Sequence, residues 1–389
     1  VTGLLPGSVG RTSRRLAATY RVRLTIDPSH RRVLARLWLG IRNRSGGPID
    51  RLELRQAARV PLRVRSATIG GHELRTTAKP GRLTVWLGGV LAAGASVEVV
   101  LDLVVPLGER LGGDAWFHAH RSGIVQLSEW LPRTDPGFSR VIDARVRAPR
   151  GWRVGVGALT QAREVPVAAS RAYRALQGTA AGVAVTVLYL PGDRGRAAAR
   201  ATLADARRAL PWITRRLGPL PRDALTIAQV ESTRFAYSWP GMIWLPDHLT
   251  PAEVRLYLSH ELTHQWFGGI TTTADPRRDP FAGEAPTELT SRLYLHGIRP
   301  SACPGRRLDR PKAWYGSCFY EAIYVDGANV LNRIRKRMGD GAYWRTLRRY
   351  LGDNRFRVTG TRDLLRALEA ATAFDLSRLI ARRFPSLAP

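Results

Sequence analysis

The sequence predicts an α+β protein in two parts: an N-terminal antiparallel β-sandwich-like domain over residues 1–195, then a mainly helical domain over 196–389. Three observations predict this. Apolar and polar residues alternate along the first half, the period-2 signature of strands that bury one face. Near residue 195 the texture changes, and residues 197–217 show helical periodicity that stops at Gly218-Pro219-Leu220-Pro221. A chain of 389 residues also has room for two sizeable cores.

The elements follow in order. Residues 20–27 and 33–41 alternate in character and are joined by Pro28-Ser29, a strand pair with its turn. Similar strands recur at 62–69, 83–87, 97–105 and 141–148, the last closed by Pro149 and Gly151. After the first helix, 225–230 reads as a short buried strand and 242–245 as an edge strand. A helix begins at Thr250, which can cap it. Pro251 suits the first turn, and Glu253 completes a capping box three residues after the threonine. Gly268-Gly269 is expected to end that helix. Further helices are expected at 327–338, 341–351 and 361–371, with a closing segment at 376–384.

Composition limits the classes of function. Hydrophobic residues make up 44%, yet no apolar run approaches the ~20 residues of a membrane span. The stretch around Arg14-Arg15 is too short and too charged to be an export segment, so processing of a precursor is expected. Lys plus Arg number 61 against 31 Asp plus Glu, a net charge of +30. Lysine occurs only at Lys79, Lys312 and Lys336, as GC-rich coding would produce, but coding bias does not explain the excess over acids. The surplus could draw the protein to anionic envelope polymers, lipid headgroups or nucleic acid. The arginines are scattered, with no aromatic-interleaved basic helix and no nucleic-acid motif, so specific nucleic-acid reading is not expected.

The chemistry is concentrated in His260-Glu261-Leu262-Thr263-His264. Histidines four apart on a helix share a face, so both imidazoles can reach one metal ion. Glu261 sits one position round, near enough to hold a water beside the metal but badly placed to ligate. This HExxH arrangement is that of zinc hydrolases, with Glu261 as general base. Leu258, Leu262 and Trp266 would face the core on another side. Zinc needs a third protein ligand and an open fourth position. Glu284 is the best candidate, with nineteen residues between it and His264. Glu288, one helical turn on, could hydrogen-bond a ligand histidine and fix its tautomer, although it reads equally well as a solvated glutamate.

From His260 to Gly268 the chain resembles the active-site helix of the gluzincin aminopeptidases, the aminopeptidase N-like zinc metallopeptidases. There a HExxH runs into Gln-Trp-Phe-Gly-Asn, and a ligand glutamate follows after eighteen residues. Asp279-Pro280-Phe281-Ala282-Gly283-Glu284 resembles the family's Asp-x-Trp-Leu-x-Glu-Gly, with the aspartate and aromatic in register. The resemblance implies Glu284 as ligand and Asp279 and Glu288 as its supporting residues; the extra residue is expected in the polar loop 271–278. Tyr324-Val325-Asp326-Gly327-Ala328-Asn329-Val330-Leu331 resembles the family's Tyr-Glu-Lys-Gly-Ala-x-x-Leu. By position, Tyr324 inherits the tyrosine that stabilises an oxyanion, although alone it would read as a packing residue.

A third match departs from the pattern. Ala236-Tyr237-Ser238-Trp239-Pro240-Gly241-Met242-Ile243 resembles the substrate-strand motif Ala-Met-Glu-Asn-Trp-Gly-Leu-Ile. The resemblance implies substrate contacts at Ala236, Tyr237, Ser238 and Gly241. The family glutamate that grips the substrate's free amine falls on Ser238, and a neutral hydroxyl cannot supply that ion pair. The order of elements resembles the thermolysin-like domain of the family, without its large helical C-terminal domain. The chain therefore reads as a short, divergent member.

Cys303 and Cys318 lie in one loop rich in Pro, Gly and Arg. They could close a disulfide, which favours an extracytoplasmic (secreted or cell-envelope) site, or remain free thiols. The expected protein is a zinc metallopeptidase with one Zn²⁺ per chain on His260, His264 and Glu284, acting on peptide or protein substrates. Two alternatives stand beside it: a catalytically inactive binding protein on the peptidase fold, and a protein that binds anionic surfaces.

Overall fold

The computed structural model describes residues 3–13, 15–55, 62–108, 118–121, 123–134, 140–157, 162, 164–231 and 235–387. Two sheets enclose the first core. One runs, in order, Arg140–Arg147, Leu16–Asp27, Arg32–Asn43, Ser96–Pro106, Arg63–Ile69 and His72–Glu73. The other is built on Arg82–Leu91, paired with Ile49–Arg55, Leu4–Leu5 and Thr76–Lys79. Alternation decides which side chains meet. Val22, Leu37, Leu101, Leu52 and Val85 are fully buried between the sheets, while their sequence neighbours point to solvent. Pairing is antiparallel except where Arg140–Arg147 runs parallel to Leu16–Asp27.

The sheet of the second half begins ahead of residue 195. Its order is Arg174–Ala180, Val183–Tyr189, Ala224–Val230, Met242–Pro246 and Tyr237–Trp239. The edge strand is therefore Tyr237–Trp239. Met242–Pro246, expected at the edge, is interior and pairs on both sides. Its composition agrees with that position, since all five residues are buried.

Helices cover this sheet and form the rest of the second core: α1 (Asp193–Leu217), α2 (Pro251–Thr263), α3 (Phe281–Leu295), α4 (Lys312–Tyr315), α5 (Gly327–Met338), α6 (Asp340–Asp353), α7 (Thr361–Ala370) and α8 (Ser377–Arg383). Leu258, Leu262 and Trp266 are all fully buried there, with Phe281, Ala285 and Leu289 of α3. Cys303 and Cys318 form a disulfide, with Cα atoms 6.0 Å apart. No helix among the described residues is long and apolar enough to cross a membrane.

Candidate metal centre and active site

Two helices build the centre. The start of α2 is fixed by the capping box: Thr250 Oγ1 accepts from the Glu253 amide at 3.3 Å, and the Glu253 carboxylate accepts from the Thr250 amide at 2.8 Å. The helix stops at Thr263, five residues before Gly268. Its last turn tightens, because the Gln265 amide donates to the Leu262 carbonyl at 3.0 Å. Gly268, at φ 136°, and Gly269 then turn the chain, and the Gly269 amide donates to the His264 carbonyl at 3.0 Å.

On α2, His260 and His264 present their Nε2 atoms 3.1 Å apart. From α3, Glu284 Oε2 reaches them at 3.5 and 3.2 Å. These edges match the spacing of about 3.3 Å expected between ligands held ~2.0–2.1 Å from a tetrahedral ion. The Glu284 oxygen is buried without a hydrogen-bond partner. A buried carboxylate oxygen left open toward two imidazole nitrogens fits a cation between them, and two nitrogens with one carboxylate are donors that zinc accepts. Burial opposes the charge of Glu284, but His264 and His260 hold its carboxyl well below the usual range.

The far nitrogens are occupied. His260 Nδ1 lies 2.8 Å from Glu288 Oε2. His264 Nδ1 lies 2.9 Å from the Phe267 carbonyl, with Thr287 Oγ1 at 3.4 Å. Both rings are thereby turned so that Nε2 faces the centre. Glu288 Oε1 accepts from Arg292 Nε at 2.6 Å and from the Tyr320 hydroxyl at 3.3 Å, so this buried carboxylate is saturated. Burial of Glu261 raises its pKa, partly offset by His260 and His264.

Tyr324 lies on a π-helical segment, Tyr320–Asp326, of the kind often found at functional sites. Its ring stacks on His260, with centroids 5.6 Å apart. Burial, reinforced by Glu284, pushes its hydroxyl well above the ordinary range, so the phenol stays protonated. Gly327 follows because α5 passes close to α3: a Cβ there would stand 3.0 Å from that of Ala285.

Two placements depart from expectation. Asp279 meets neither histidine; its carboxylate accepts from the Thr361 amide at 2.9 Å and from the Thr361 hydroxyl, capping α7. Ser238 bonds to the scaffold: its hydroxyl donates to the Glu261 carbonyl at 2.9 Å and accepts from Gln265 Nε2 at 2.7 Å. That carbonyl has no bond from Gln265 because the last turn is tightened, and Ser238 supplies one. Gln265 also donates to the Trp239 carbonyl and accepts from the Gly241 amide, both at 2.9 Å. The side chain of Ala236 is buried in the helical core, and Tyr237 stacks on Trp239 against a second apolar cluster.

Arg292, Tyr320 and Thr287 were not foreseen, and Gln265 stood out only as part of the family-like run, without its role as a bridge to Ser238, Trp239 and Gly241. Of the first three, Arg292 alone left a signal, four residues after Glu288 on the same helix.

The fold is that of the two-domain M1 zinc metallopeptidases. A Deinococcus radiodurans M1 zinc metallopeptidase, in a mutant form bound to a Tyr-Ser-Ala substrate, superposes with a TM-score of 0.74 at 18% identity, covering 98% of this chain and 96% of that one. A two-domain M1 zinc metallopeptidase mutant bound to L-arginine gives a TM-score of 0.75 at 20% identity, covering 95% of this chain and 93% of that one. In sequence, aminopeptidase N of Lactococcus lactis subsp. lactis is 27% identical over 153 residues, covering 32% of this chain and 18% of the relative's length. No family model matches the chain. The short sequence match to aminopeptidase N and the shared fold both agree with the resemblance carried by His260 to Gly268.

Proposed function

We propose that this chain hydrolyses peptide bonds as a zinc-dependent metallopeptidase of an extracytoplasmic compartment. The observation that carries this reading is the convergence of His260 Nε2, His264 Nε2 and Glu284 Oε2, all within 4.8 Å of one another, beside a buried glutamate. When bound there, zinc supplies Lewis acidity toward the water and the scissile carbonyl. Glu261 takes the proton from the attacking water at its carboxylate and passes it to the leaving amine nitrogen. The Tyr324 hydroxyl donates a hydrogen bond to the carbonyl oxygen as it gains charge. Substrate backbone adds along the edge strand Tyr237–Trp239. The disulfide supports the compartment.

Ser238 sets the specificity. Its hydroxyl already donates to the Glu261 carbonyl and accepts from Gln265, so it offers a substrate ammonium one remaining lone pair of a neutral oxygen in place of a carboxylate. The enzyme is therefore expected to cleave a free-amine peptide and its N-acetylated twin at similar rates, with both reactions abolished by chelation and restored by zinc. Abolition by acetylation alone would mean that an acidic anchor grips the amine. Cleavage unaffected by chelation would contradict the metallopeptidase reading.

A further inference from the structure

The solvent face of the six-stranded N-terminal sheet carries an arginine lattice that the proposed peptidase chemistry does not use. Register brings Arg145, Arg23 and Arg36 side by side on three neighbouring strands. Like charges placed opposite one another destabilise a sheet. Three acids offset the row in part: Arg23 meets Asp143 at 2.7 Å, Arg21 meets Glu98 at 2.7 Å, and Arg36 approaches Asp102 only to 3.8 Å. Arg65 and Arg147 line the depressions beside this row, so six guanidiniums (Arg21, Arg23, Arg36, Arg65, Arg145, Arg147) gather around the three carboxylates of Asp143, Glu98 and Asp102.

The cluster is ordered from below. The guanidinium carbons of Arg21, Arg23 and Arg36 stand 5.6, 5.9 and 5.3 Å from the centre of the Trp38 ring, whose π face gathers cations that would otherwise splay apart. The side chains stay accessible, Arg36 at 54% and Arg145 at 73% exposure. Between them lie two shallow depressions. One, of about 270 Å³, is lined by Arg23, Leu24, Thr25, Arg145 and Arg147, with no acid; the other, of about 360 Å³, by Arg36, Arg65, Ser66 and Asp102.

We propose that this sheet face docks the protein on a bilayer surface rich in anionic phospholipid headgroups. The charge is spread in two dimensions, over five strands and hence roughly 19 Å at about 4.8 Å per strand. A planar array of phosphates can meet all of it, whereas a single polyanion strand would follow one row. Trp38 is already covered by guanidiniums, so it offers no free platform for stacking nucleobases. Basic residues at an anionic bilayer act almost additively, and salt weakens them. This inference stands apart from the peptidase reading, because it involves no residue of the metal centre.

The test is co-sedimentation of the full chain with vesicles of phosphatidylcholine, alone or mixed with phosphatidylglycerol. Binding is expected only to the mixed vesicles and is expected to be released by high salt. Combining Arg23→Ser, Arg36→Ser and Arg145→Ser should weaken it on the order of 100-fold. A control combining Arg349→Ser, Arg362→Ser and Arg366→Ser removes the same charge from exposed positions on α6 and α7 and should change it little. If the sheet triple fails to fold, Arg145→Ser alone should weaken binding about 5-fold. Equal losses in the two triples, or no binding to the mixed vesicles, would overturn the proposal. So would tighter binding to soluble polyphosphate, which would make the ligand a polymer.

Discussion

Replacing Glu261 with glutamine is expected to leave zinc in place and to lower peptide hydrolysis by at least ~10²–10⁴-fold, the usual contribution of general acid–base catalysis. Glutamine keeps the shape of the side chain but cannot accept the water's proton. Burial lifts the Glu261 carboxyl above its ordinary value, with His260 and His264 opposing the rise. Tyr324→Phe is the companion variant: it removes only the proposed oxyanion donor, so turnover should fall while metal content stays constant. Metal content and turnover at saturating substrate, measured on one preparation of each variant, check both expectations. Wild-type turnover in a zinc-replete Glu261→Gln protein would mean that another base operates.

Arg383→Ala is expected to cost ~3–5 kcal/mol of stability, the penalty for leaving a buried charge without its partner. Arg383 and Asp326 meet at 2.5 Å with side chains only 5% exposed. Asp326 also accepts from the Gly305 amide at 3.0 Å, and Arg383 Nε donates to the Arg306 carbonyl at 2.8 Å. The pair thus ties the end of the chain and the disulfide loop to the π-helical segment that carries Tyr324. Denaturant unfolding of Arg383→Ala measures the loss. Joining Asp326→Leu to Arg383→Met removes both charges and should recover most of it. A double variant no more stable than Arg383→Ala would show that the lost hydrogen bonds, and not the unpaired charge, carry the cost.

The parts of the protein legible in the sequence were those written in local periodicity. Alternation along Leu16–Asp27 and Arg32–Asn43 marks strands because one face of each must be buried whatever the partner. The capping box at Thr250 and Glu253 is equally local. The histidine pair could be read because helical spacing alone brings two ligands to one face, whereas Glu284, on the next helix, is legible through the resemblance of residues 279–284 to the family motif.

What tertiary context decides stayed hidden. The helix ends at Thr263, where the Gln265 amide turns to the Leu262 carbonyl and the Ser238 hydroxyl bonds the Glu261 carbonyl that a longer helix would have used, and Ser238 comes from a strand more than twenty residues away. Asp279 accepts from the Thr361 amide of α7, 82 residues along the chain. The interior position of Met242–Pro246 depends on which strand lies beside it, and five apolar residues in a row do not name their neighbours. The π-helical register around Tyr324 has no local signature that distinguishes it from an ordinary helix.

Zinc stoichiometry is the most direct test of the central claim. The purified chain should carry one zinc per molecule, and the combination of His260→Ala with His264→Ala should carry none, with peptide hydrolysis lost alongside. Removing two of three ligands leaves Glu284 alone, which cannot hold the ion. Stoichiometric zinc retained by the double variant, or hydrolysis persisting in metal-free protein, would contradict the account.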